Sequence, residues 1–133
     1  MRKNSIQLAA VIALGLSLTP ALAQKKAPYA PSITELALLP DFCQARLGTN
    51  AALYQQWNQR MGPDKFMHVH HYCQGLNHIN RAKFTFHKQH RREYLQTAAS
   101  EFDYVIRNWP PDFAMVAEAK ERKRLAEVLL QQP

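Results

Sequence analysis

Apolar positions recur every three to four residues over most of the chain, a spacing that predicts helices and no strands. The clearest case runs from Arg91 to Asn108. There Tyr94, Leu95, Ala98, Phe102, Val105 and Ile106 fall on one stripe, which Trp109 extends. Asp103 and Arg107 stand four apart on the outer side with the acid first, the favourable order for a helical ion pair. Upstream, Phe66, Val69, Tyr72, Cys73, Leu76 and Ile79 share a face of a helix that Asp64 can cap and that reaches about Phe84. Gly75 and Ala82 flank this face and are small enough to admit a close neighbour. His70, Gln74, Asn77 and Arg81 form a polar face, expected in water.

Shorter elements surround this pair. A helix starting near Pro40 or Asp41 stops at Gly48. Asn50 can cap another from Ala51 to Arg60, ended by Gly62 and Pro63, with Tyr54 and Trp57 on its buried side. Thr85 to His90 reads as a polar connection. Trp109-Pro110-Pro111 breaks the chain, and Asp112 can cap a last helix reaching Leu130. Short connections imply antiparallel neighbours. The expected fold is all-α, with four to five helices in antiparallel hairpins over residues 40–131.

The first residues follow a different pattern. Met1, Arg2 and Lys3 precede an apolar run from Ile6 to Leu18, and Ala21-Leu22-Ala23 places small residues before a cut. This is the layout of a secretory signal peptide, with cleavage expected near Ala23-Gln24. The run is shorter than the roughly 20 apolar residues that span a bilayer, so an uncleaved anchor is the less favoured reading. The expected location is therefore periplasmic or secreted. Residues 24–39, with Pro28 and Pro31, read as a flexible leader. Loss of Arg2 and Lys3 lowers the formal charge from +7 to +5. A basic, exported chain is compatible with peripheral contact with an anionic membrane, whereas nucleic acid is not an expected partner.

Ala98, Phe102, Val105 and Pro110 stand at the spacing of the second helix of a tetratricopeptide repeat and its closing proline. Tyr72, Gly75 and His78 are similar to the aromatic, glycine and ring positions of its first helix. About eleven additional residues interrupt the usual unit, and the last helix would begin a second repeat without its partner. Over roughly 66–130 the chain thus resembles a TPR-like exported bacterial protein, and a plain helical bundle can produce the same spacing. The resemblance implies a scaffold for protein contacts, without catalysis or cofactor. On that reading the last helix keeps an open face, and Met115, Ala119, Ala126 and Leu129 are its expected partner surface.

The remaining candidate chemistry is limited. Cys43 and Cys73, an even pair in an exported chain, are expected to form a disulfide. Left reduced, Cys73 beside a histidine would allow a thiol-dependent enzyme instead. All six histidines lie between 68 and 90, and the pairs His68/His71 and His87/His90 are spaced three apart, as helical metal ligands can be. A periplasmic metal-binding protein is therefore an alternative. The distance opposes a single four-histidine site, because 16 residues of helix separate His71 from His87 by about 24 Å. Lys83, Lys88, Arg91 and Arg92 form the most positive stretch and a candidate anion patch. Glu93, Glu101 and Asp103 lie near arginines and read as solvated helix charges. There is no phosphate-binding glycine loop, haem-attachment motif or zinc-protease motif.

Overall fold

The computed structural model describes residues 27–132, so the expected signal peptide at 1–23 lies outside the described residues. Six helices and no strand are found among them: α1 (Ile33–Ala37), α2 (Asp41–Leu47), α3 (Ala51–Met61), α4 (Pro63–Phe84), α5 (Lys88–Asn108) and α6 (Ala114–Leu130). The all-α expectation holds, and α1 is the additional element. None of these helices is long and apolar enough to cross a membrane.

The core is built around the α4–α5 pair. Its contacts join the start of α4 to the end of α5. Trp109 Nε1 donates to the Lys65 carbonyl at 3.0 Å, Tyr104 meets His68, Glu101 meets His71, and the Tyr94 ring packs on His78. The two helices are therefore antiparallel. Gly75 sets their approach, since a Cβ there would stand 2.7 Å from Phe102 Cζ. The expected stripe is the one buried: Leu95, Ala98, Phe102 and Val105 are inaccessible, and Tyr94 and Trp109 nearly so. α6 returns antiparallel along α5, with Lys123 on Asp103 at 2.7 Å and Arg91 reaching the Leu129 carbonyl at 3.4 Å. The opposite side of α4 is covered by α1, α2 and α3. There the Sγ atoms of Cys43 and Cys73 are at disulfide distance, 2.00 Å, tying α2 to α4. Tyr54 packs on Phe66 and Trp57 on Phe42, as the shared face of α3 predicts.

Helix ends depart from expectation in three places. Asp64 does not cap α4: Gly62 does, at φ +89°, a backbone that only glycine adopts without strain, and Pro63 fills the first helical position. Asp112 does not cap α6, whose cap is Phe113 without a side-chain hydrogen bond. α5 begins at Lys88, within the expected connection, because His87 Nδ1 accepts the His90 N–H and starts the helix early.

The expected flexible leader at 24–39 also needs correction over its described part. Residues 27–32 form neither helix nor strand and bend at Tyr29 and Ala30, but are held in place, and 33–37 are helical. Ser32 and Glu35 form a reciprocal capping box, which supplies the local reason for α1. Tyr29 donates to Glu101 at 2.5 Å and its ring packs on His78. Leu39 is buried in the core.

Candidate functional site

The expected polar, solvated face of α4 is instead the most constrained part of the molecule. His70 is half-buried, and Gln74, Asn77 and Arg81 are buried. At Arg81 the cause is the leader, which crosses this end of the face and removes it from water, whereas the His70 ring lies against Arg46 of α2. Arg81 meets the burial cost through four hydrogen bonds. Its Nε and Nη2 grip the two Glu35 carboxylate oxygens at 2.6 and 3.0 Å, while Nη1 and Nη2 donate to the carbonyls of Pro28 and Ala30. The Arg81 guanidinium, aided by Ser32 and opposed by burial, holds the Glu35 carboxyl down from 4.5 to about 2. Burial pushes the His70 ring down from its ordinary value, against the Met67 carbonyl it bonds.

Asn77 lies one turn before Arg81. It is 0% exposed, and neither its carboxamide nitrogen nor its oxygen has a hydrogen-bond partner. Gln74 Oε1 is likewise buried and unpaired. Between α1, the start of the leader and the α4–α5 hairpin is a cleft of about 290 Å³. Asn77, Asn80, Arg81 and Glu35 give it polar walls, Tyr94 and His90 belong to α5, and Leu38 and Phe84 are its apolar lining. Leu38 is 65% and Phe84 73% exposed, and Phe86, two residues on, is fully exposed. Tyr94 OH accepts the Ala27 N–H at 3.3 Å and so fixes where the leader enters.

The partner surface expected from the sequence is overturned. Ala119 and Ala126 are 0% exposed, and Met115 and Leu129 pack against the core. They form the face of α6 that covers α5, since the helix presents its small residues to its neighbour. The side left open carries Ala117, Leu125 and Val128 among Glu118, Glu121 and Arg124.

The histidine pairs are kept apart. His71 Nδ1 donates to Glu101 Oε2 at 2.6 Å, and His68 Nδ1 meets Tyr104 OH at 3.3 Å. His87 and His90 stack at 4.1 Å at the start of α5. Among the described residues, no group of three or more His, Cys, Asp or Glu side chains is placed to hold one metal ion. Cys73, the nucleophile of the thiol alternative, is bonded to Cys43 in this structure. Of the expected anion patch, Lys88, Arg91 and Arg92 line one depression beside Leu130, and Lys83 is not part of it. Arg91 there satisfies a carbonyl at the end of α6, a capping role.

The cleft was not legible in the sequence. The one available signal was Ser32-x-x-Glu35, whose capping-box spacing marks a helix start inside the apparent leader. Comparison with known protein families, curated proteins and solved structures finds no match to this chain.

Proposed function

We propose that the protein is an exported helical adaptor that works by protein contact, without catalysis, and that its contact surface is the cleft between α1, α4 and α5. One observation carries this reading: Leu38 and Phe84 are exposed apolar residues lining a concave site, and Phe86, two residues further along the chain, is fully exposed. Large apolar side chains gathered on a surface mark interaction sites more often than isolated ones do. The Cys43–Cys73 link agrees with an oxidising compartment, where such bonds persist.

The test is photo-cross-linking in the export compartment. A benzophenone side chain replaces Phe86 or, as a control on the far helix, Lys120. Discrete cross-linked products from position 86 and none from position 120 are expected. Equal products from both positions, or none from position 86, refute the proposal.

A further inference from the structure

A buried carboxamide with both its donor and its acceptor unpaired calls for an explanation. Asn77 has this arrangement and stands on the cleft wall. The charged groups beside it are already matched. Arg81 is paired with both oxygens of Glu35, so their charges cancel, and the His90 ring is stacked on His87. The same face of α4 already holds peptide backbone, because Arg81 donates to the carbonyls of Pro28 and Ala30, two residues apart in a segment that is neither helix nor strand. The cleft volume, about 290 Å³, lies near the lower end of ligand sites, which run from roughly 300 to 1,000 Å³. That is room for one residue of a chain, and no more.

Resting on the adaptor reading, we infer that the cleft takes an uncharged peptide segment of the partner. One residue of the segment, in extended backbone, pairs its own N–H and C=O with the Asn77 carboxamide, because the N–H and C=O of a single trans peptide group point opposite ways, and one aromatic or aliphatic side chain packs on Leu38 and Phe84. The carboxamide is sealed from solvent, so seating the peptide requires a rotamer change at the rim. Leu38 and Phe84 are largely exposed and lose little packing in moving, and side-chain rearrangements of this kind are common on binding.

The experiment is a nuclear magnetic resonance titration of the ¹⁵N-labelled mature chain, following the Asn77 side-chain amide. The probe is a pentapeptide, Ala-Ala-Phe-Ala-Ala, capped at both ends. It is expected to shift that resonance to saturation. Replacing its Phe by Asp is expected to weaken binding at least tenfold; Asn77→Leu, still folded by its backbone spectrum and followed in both proteins through the backbone amides of Leu38, Asn80 and Phe84, is expected to weaken it at least tenfold as well.

Four results overturn the inference: no shift, equal binding of the Asp peptide, undiminished binding by Asn77→Leu, or binding of N-acetylphenylalanine amide but not of the pentapeptide, which would identify a small amide compound as the ligand. A shift that follows protein concentration without peptide would identify a second copy as the occupant and overturn it too. Cross-linking at position 86 with a silent Asn77 resonance sinks only this inference, whereas absence of cross-linking sinks the adaptor reading beneath it.

Discussion

Asn77→Leu is expected to make the free protein more stable. The two side chains have the same number of heavy atoms, but leucine brings no polar group to a position that is 0% exposed. Each buried donor or acceptor left unpaired costs about 1–3 kcal/mol. Asn77 has one of each, so at the lower figure the substitution recovers about 2 kcal/mol. The shape change from a planar to a tetrahedral branch offsets up to about 1.5 kcal/mol of this. The expected net gain is therefore about 0.5–2 kcal/mol, or roughly 2–16 °C in Tm at about 4–8 °C per kcal/mol for a small domain. Urea unfolding of residues 24–133 measures it, with a raised midpoint and an unchanged slope as the signature. A site residue that stabilises when removed is the trade-off expected where binding is held at the expense of stability. A loss of 1 kcal/mol or more would mean that Asn77 is satisfied in the folded protein, and the reasoning would fail.

Other perturbations follow from the same contacts. Replacing Cys43 and Cys73 together by alanine opens a link across 30 residues of chain and is expected to cost about 3–4 kcal/mol, measured by urea unfolding. Glu35 is held at about 2 when folded against 4.5 ordinarily, so its contribution is complete above about pH 4.5 and is lost as pH falls through about 2. Glu35→Gln should therefore be less stable at neutral pH and show less acid dependence, so that the two stability-against-pH curves converge near pH 2; parallel curves would contradict this. Gly75→Ala drives a methyl to within 2.7 Å of the buried Phe102 ring and should cost about 1–3 kcal/mol by thermal unfolding. Ala126→Asp buries an unpaired charge between α5 and α6 and is expected to cost several kcal/mol, while Leu125→Asp, on the open side, should change stability by about 0.5 kcal/mol or less. A chain that unfolds equally easily with either would place the wrong face of α6 inward.

The helices were legible because periodicity is a local property. The stripe from Tyr94 to Trp109 needs only its own spacing to declare a buried face, and the structure buries it. Gly75 is similar: a residue without a Cβ opposite a long apolar stripe anticipates close approach, and Phe102 occupies that space. An even count of two gave the expectation that Cys43 and Cys73 pair, and the structure places their sulfurs at disulfide distance.

What the sequence could not decide was which side of each helix has a neighbour. On α6 small and apolar residues lie on more than one face, so Ala119 and Ala126 serve equally well as an open surface or as a seam against α5. Only the return of α6 along α5 makes them the seam and turns Leu125 and Val128 outward. On α4, His70, Gln74, Asn77 and Arg81 read as solvated because polar side chains prefer water unless partners are supplied. The partners come from Pro28, Ala30 and Glu35, between 46 and 53 residues away from Arg81 in the chain. Pairing at that separation depends on where the chain returns, which no local pattern encodes. The sequence by itself determined the helices, the α4–α5 stripe and the cysteine pair. The tertiary structure alone decided that a polar face would be covered, that Arg81 would be paired there, and that Asn77 would be left without a partner beside a cleft.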